Sequence, residues 1–345
     1  MRPALACLAW LAIAMQMMPA MAQTTPTVRP EHWAAYKQKF VDPGGRVIDD
    51  GNGGISHSES QGYGMLLAYL AGNRVDFDVI WSFTRRELLL RDDGLAVWKW
   101  DPSSTPHVVD TNNATDGDML IAYALALAGQ AWELPQYTST AADIVRAIAA
   151  KTLITHNGQL IILPGAEGFS AAERPDGPVV NLSYWVFEAL PVFAALDPGT
   201  DWKAVSDSGL TLIDQTMQGG ETLPPEWLSL AARPRPAKGF PAEFSYNAVR
   251  IPLYLARSNL EADAALRRLA ERMSADDGVG VVNLERGEVK KVLTDPGYRI
   301  IPALAACVAG GPEVPADLLT FEPTLYYPST LHLLAIARLA ERPCR

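Results

Sequence analysis

The sequence predicts an all-α protein arranged as a double ring of helices, an (α/α)6 barrel carrying short strand and hairpin insertions. Two observations predict it. First, helix-forming runs that are apolar on every side alternate about six times with amphipathic ones. A helix without a polar face is buried all round, whereas an amphipathic one lies on a surface. Second, the apolar runs open alike, on polar and aromatic residues. These openings are Glu59…Gly62-Tyr63-Gly64, Asp116-Gly117-Asp118, Ser183-Tyr184-Trp185, Ser245-Tyr246-Asn247, Pro296-Gly297-Tyr298 and Tyr326-Tyr327-Pro328. An inner ring of apolar helices running one way would gather all six openings at one mouth. The same pattern also fits an irregular helical protein whose tyrosines are ordinary core and cap residues.

Composition bounds the function classes. The 345 residues are 48% hydrophobic and 20% charged, which suits a globular protein with a sizeable core. A formal net charge of -10 argues against nucleic acid and anionic membrane surfaces as partners but is compatible with a neutral polymer. Residues 1–22 read as a signal peptide: Met1-Arg2-Pro3 is positive, Ala4–Met18 is apolar, and Ala20-Met21-Ala22 is a small-x-small cleavage site before Gln23. Residues 23–345 then form a single exported domain, periplasmic or secreted, with no stable membrane anchor. Cys307 and Cys344 remain after cleavage. An oxidising compartment would let them pair, but Cys344 is the penultimate residue, and the spacing leaves the question open. Neither the cysteines nor the five histidines show metal-ligand spacing, so no metal or other cofactor is expected.

In chain order, Glu31–Phe40 is a first helix, and 41–57, rich in Gly and Asp, is a loop. Ser58–Ala71 and Phe77–Leu90 form the first apolar and amphipathic pair. Leu95–Trp100 alternates like a short strand or extended segment. The run 115–129 is the most apolar helix, opened by Thr115 and Asp116. Then come a more polar helix at 137–153 and a short strand at 159–163. Val180–Leu196 with Trp202–Met217, and Phe244–Ala256 with Glu261–Met273, repeat the pairing. Residues 274–293 read as a hairpin turning near Arg286-Gly287, and Gly297–Val308 and Ser329–Ala340 are the last helices.

Glu59 and Asp116 are the candidate catalytic carboxylates. Each sits in a first helical turn, where an acid is favoured by the helix dipole for purely structural reasons. Gly62 and Gly64 speak against that plainer reading at Glu59, because each costs about 1 kcal/mol inside a helix. Room for a substrate chain is the gain expected. Asp116 and Asp118, two positions apart, do not share a helix face, so one is free to point at a cleft while the other caps or packs. Aromatic residues near the openings, Trp98, Tyr184 and Tyr246 among them, offer stacking platforms for sugar rings, although most buried aromatics are simply core. Paired carboxylates with such platforms are what glycoside hydrolysis requires.

Two long motifs, Ser56-His-Ser-Glu-Ser-Gln-Gly-Tyr-Gly-Met65 and Asn112-Asn-Ala-Thr-Asp-Gly-Asp-Met119, resemble glycoside hydrolase family 8. The likeness is greatest to the periplasmic endo-β-1,4-glucanases of bacterial cellulose synthesis. It extends through Asn181-Leu-Ser-Tyr184, Leu223-Pro-Pro-Glu-Trp227 and Phe244–Tyr254. The resemblance implies the barrel, an inverting metal-free mechanism, a β-1,4-glucan substrate and a connection to cellulose synthase machinery, with chitosan or xylan as related substrates. It puts the general acid at Glu59 and a sugar-positioning carboxylate at Asp116. Asn247, Tyr184, Arg250, Trp98 and Tyr246 then bind substrate or position water. Two departures stand out. Ser60 occupies a position that is Gly in many relatives. Asn247 replaces the Asp that serves as general base, and an amide cannot take a proton from water. Glu243, one turn earlier if the helix starts there, and Asp116 are the substitutes visible in the sequence. A glucan-binding accessory that has lost turnover is the alternative of a different class.

Overall fold

The computed structural model describes residues 25–218 and 222–344; the expected signal peptide, 1–22, lies outside the described residues. The helices among them are α1 Pro30–Phe40, α2 Ser58–Leu70, α3 Arg74–Glu87, α4 Thr115–Ala131, α5 Pro135–Thr152, α6 Leu190–Leu196, α7 Trp202–Thr216, α8 Arg250–Arg257, α9 Asp263–Met273, α10 Pro296–Val308 and α11 Tyr326–Glu341. Short strands fill the connections: β1 Ser56–His57, β2 Lys99–Trp100, β3 Leu153–His156, β4 Gln159–Ile162, β5 Val179–Val180, β6 Leu228–Ser229, β7 Arg235–Pro236, β8 Glu243–Phe244, β9 Ser274–Ala275, β10 Gly278–Asn283 and β11 Glu288–Leu293.

The helices close into the expected (α/α)6 barrel. The inner ring runs from α2 to α4, then through the 3₁₀ turn Leu182–Tyr184 and α6 to α8, α10 and α11, and α11 returns to α2. On the outside, α1 lies against α11, α3 against α2, α5 against α4, α7 against α6, and α9 against α8 and α10. The sequence dictates this division. Thr115–Ala126 in α4 is buried on every face, as is nearly all of α2. The outer helix α3, in contrast, buries Phe77, Ile80, Trp81 and Phe83 on one side and exposes Arg85 and Arg86 on the other.

Two inner segments differ from the expected continuous helices. Val180–Leu196 is a strand, a 3₁₀ turn and a seven-residue helix. Asn181 bends the backbone there, its side-chain oxygen accepting from the Ser183 N–H and hydroxyl, the local competition with helix that Asn favours. Phe244–Ala256 is helical only from Arg250. Glu243 and Phe244 belong to β8, which pairs antiparallel with β10 through Val282↔Phe244 and Asn283↔Glu243. Pro252 falls in the first turn of the shortened helix, where its missing N–H costs nothing. Elsewhere α3 begins three residues earlier than expected, and the strand at 159–162 gains β3 as a hairpin partner. Cys307 in α10 and Cys344 beyond α11 are joined in a disulfide.

Candidate active site

The site begins with two helix starts pressed together. His57 caps α2: its Nδ1 accepts from the Ser60 N–H at 3.0 Å, while Ser60 Oγ accepts from the His57 N–H at 3.0 Å. Ser60 thus closes a capping box that Gly could not make. His57 Nε2 lies 3.3 Å from Asp49. Burial works against the imidazolium, but this bond and the nearby Glu59 and Asp116 carboxylates raise the His57 pKa. The start of α4 crosses the start of α2 at Gly117. A Cβ there would stand 2.0 Å from Ser58 Oγ and 2.7 Å from the Glu59 nitrogen. Gly62 permits the same approach one turn on, where a Cβ would meet that of Leu120 at 2.6 Å. Gly64 packs against Val47 and Ile80. The two α2 glycines therefore serve helix packing, not the substrate space expected of them.

This crossing brings Glu59 and Asp116 onto one guanidinium. Arg250, fully buried at the start of α8, places Nη1 2.5 Å from Glu59 Oε2 and Nη2 3.1 Å from Asp116 Oδ2. Nη2 also donates to Ser183 Oγ at 3.1 Å and to Asn247 Oδ1 at 3.2 Å. One cation thus ties three inner segments together. Asp116 is 2% exposed and Glu59 15%. Burial raises the Asp116 pKa to about 7; Arg250 opposes the rise and Glu59 adds to it. Asp118, two residues along, faces away from this cluster and accepts from the Ala96 N–H at 2.7 Å and the Asn113 amide at 2.9 Å. It ties the extended segment before α4 to the helix.

The expected ligand-binding residues scatter around this cluster. The Tyr184 ring lies 5.8 Å from the Arg250 guanidinium carbon. Trp98 donates from Nε1 to Asp110 at 2.8 Å, and its carbonyl accepts from the Ser58 N–H at the start of α2. Tyr246 is 40% exposed, one residue before Asn247. Glu243 is elsewhere: because β8 is extended, its carboxylate is not one helical turn from Asn247, and it pairs with Lys290 at 2.5 Å. The carboxylate that does meet Asn247 is Glu226, whose Oε1 accepts from the Asn247 N–H at 2.8 Å. Burial raises its pKa, while the Asn247 N–H and Arg250 restrain the rise. Glu226 lies in Leu223-Pro-Pro-Glu-Trp227 and is not among the carboxylates expected from the sequence. The signal was an acid flanked by two prolines and a tryptophan in an otherwise irregular stretch. Trp227 next to it is sandwiched between Phe169 and Phe240, with ring centroids 5.6 and 4.5 Å away and nearly parallel planes.

Comparison with known proteins agrees with the fold and the motifs. Residues 5–278 match the sequence family described as Glycosyl hydrolases family 8. A probable endoglucanase of Novacetimonas hansenii is 34% identical over 93% of this chain and 94% of its own length. An endoglucanase of Cellulomonas uda is 38% identical over 65% of this chain and 62% of its own. Among solved structures, the endo-β-1,4-glucanase of Acetobacter xylinum superposes with a TM-score of 0.81 at 34% identity, covering 90% of this chain and 98% of that one. A family 8 endoglucanase from Klebsiella pneumoniae gives 0.79 at 30% identity, covering 90% and 100%. The extent of the family match, together with a relative alike over nearly its whole length, establishes that this chain belongs to glycosyl hydrolase family 8.

Proposed function

We propose that this protein is an endo-β-1,4-glucanase that hydrolyses cellulose-type glucan with inversion, using Glu59 as general acid and Glu226 as general base. One observation carries the reading. Glu59, Arg250, Asn247 and Glu226 form a continuous chain of hydrogen bonds, so an acid and a second carboxylate are held at its two ends. The full-length similarity to endoglucanases supports the substrate.

In the reaction, Glu59 gives its proton to the departing glycosidic oxygen as the C1–O bond breaks. A water attacks C1 from the opposite face and loses a proton to Glu226. No covalent sugar–enzyme bond forms in an inverting reaction. Asp116 orients the sugar beside the scissile bond. Its Oδ2 meets the Arg250 guanidinium at 3.1 Å, and Asn181 Nδ2 is buried without a hydrogen-bond partner among the described residues. A buried polar atom left in this way is open to a water or to a ligand group. Asn247 takes no proton. Its backbone N–H and side chain aim the base, the role left to an amide at this position. A raised Glu226 pKa suits a base, because proton affinity closer to the working pH makes transfer more effective.

The test is a pair of variants on carboxymethylcellulose. Glu59→Gln and Glu226→Gln should each lower kcat by about 10²–10⁴-fold with the melting temperature kept. In wild type, the acid limb of kcat/KM should lie above the ordinary glutamate value of 4.5. Full activity in Glu59→Gln would remove the acid, full activity in Glu226→Gln would remove the base, and first-formed β-anomers by NMR would remove inversion. We also propose export: the charge, apolar run and small-x-small site of residues 1–22 support cleavage after Ala22, and a mature N-terminus at Gln23 is the expected result of N-terminal sequencing.

A further inference from the structure

Residues Lys290 and Lys291 are consecutive in β11, and strict alternation would send their side chains to opposite faces of the sheet. They do not go there. The register of β10 against β11 slips between Val281 and Val282: Val281 pairs with Lys291, and Val282 with Val289. Lys290 is the extra residue of this bulge, a device that re-aims side chains. As a result both lysines point toward the β8–α8 segment that carries the site. Lys290 is neutralised by Glu243 at 2.5 Å. Lys291 reaches Tyr246, its Nζ 3.0 Å from the phenol oxygen and 5.7 Å from the ring centroid. The ammonium therefore sits at the hydroxyl edge of the ring and not over a face, while Tyr298 packs against the ring with centroids 6.1 Å apart. Tyr246 is 40% exposed and directly precedes Asn247. Lys291 is itself exposed and makes no ion pair among the described residues.

We propose that Lys291 is a specificity-determining residue that selects β-1,4-glucan bearing carboxylate groups, through a sugar stacked on Tyr246 with its anionic substituent at the ammonium. The proposal rests on the glucanase reading above and names a substrate class for the residues flanking the same site. Its physical basis is local. The protein as a whole carries a formal charge of -10, which repels a polyanionic chain at a distance. A single uncompensated cation beside a part-exposed aromatic ring offsets that repulsion where the sugar docks. The sugar face meets the ring, and the acid meets the lysine.

The experiment compares wild type, Lys291→Gln and Lys291→Glu on two substrates, carboxymethylcellulose and neutral hydroxyethylcellulose, at about 20 mM and about 500 mM salt, across which screening shortens from well over 10 Å to a few ångströms. At low salt, Lys291→Gln should lower kcat/KM on carboxymethylcellulose about threefold and Lys291→Glu up to about tenfold, the scale of an exposed ion pair. Hydroxyethylcellulose should be hydrolysed equally by all three proteins, and high salt should remove the difference on the anionic polymer. Equal losses on both substrates, or a loss that salt leaves untouched, would overturn the charge-reading role while leaving the glucanase reading intact. A wild type that cuts neither polymer would instead overturn the glucanase reading itself.

Discussion

The Asp118 and Asp116 carboxyls are both raised to about 7 by burial, and Asp118, which faces away from the Arg250 cluster, makes that burial measurable as a pH dependence of stability. Burial pushes the Asp118 carboxyl up to about 7 against the two hydrogen bonds it accepts. The folded protein therefore keeps this proton to higher pH than the unfolded chain, whose aspartates titrate near 3.8. Between those values the native state holds more protons, so this group's contribution to stability falls as pH rises from about 4 to about 7, and is constant above. Asp118→Asn removes the titration. It also turns an amide toward the Asn113 amide, losing one buried hydrogen bond worth about 1–3 kcal/mol. The variant should thus be less stable than wild type near pH 4, with the gap narrowing toward pH 7. Urea midpoints across that range would show it, and a pH-independent gap would contradict the burial argument. The acids at 59 and 116 were legible because each stands in a first turn beside helix-opening residues. Glu226 was not, since nothing in its own neighbourhood predicts which distant backbone N–H it will meet.

At the scale of elements, the site depends on how closely α2 and α4 cross. Gly117 lets the Ser58–Glu59 backbone lie where a side chain would otherwise stand, so Gly117→Ala must separate the two helix starts. Overpacking of this kind costs about 1–3 kcal/mol. A displacement near 1 Å at a reacting group costs about 10²-fold in rate. Gly62→Ala strains the same pair one turn deeper, against Leu120. The expectation is a comparable stability loss in both variants and a larger kcat loss for Gly117→Ala, read by melting curves and steady-state rates on a soluble glucan. Equal kcat losses would mean that helix packing alone, not the position of Glu59, limits turnover. The long apolar helices α2 and α4 were readable from periodicity because burial on all sides leaves a uniform signal. The segments at 180–196 and 244–256 were misread as whole helices for the same reason: apolar residues also line strands and turns that are buried on both faces. Asn181 and Pro252 carried the correction.

For the whole molecule, ring closure is the last requirement, and α11 supplies it by packing against α2 and α8. The end of the barrel away from the helix openings is fastened by arginines. Arg257 pairs with Glu188 at 2.6 and 2.8 Å and donates to the Leu334 carbonyl, and Arg338 donates to the Ala256 carbonyl at 2.6 Å. The Cys307–Cys344 bond adds a covalent tie between α10 and the residues after α11, across a sequence separation of 37. The sequence left this pairing undecided, because a cysteine next to the chain end shows its partner only once α11 has docked. In the loop-entropy description, a closure of this length stabilises by up to about 4 kcal/mol. The tie holds the end of α11 remote from Glu59 and Arg250, and the arginine network persists without it. The double variant Cys307→Ser/Cys344→Ser should therefore melt several degrees lower, as should wild type in reductant, while kcat at 25 °C stays at the wild-type value. Loss of kcat in a variant that remains folded at that temperature would show instead that the tie positions the mouth of the ring, and that α11 transmits strain along its full length to the start of α2.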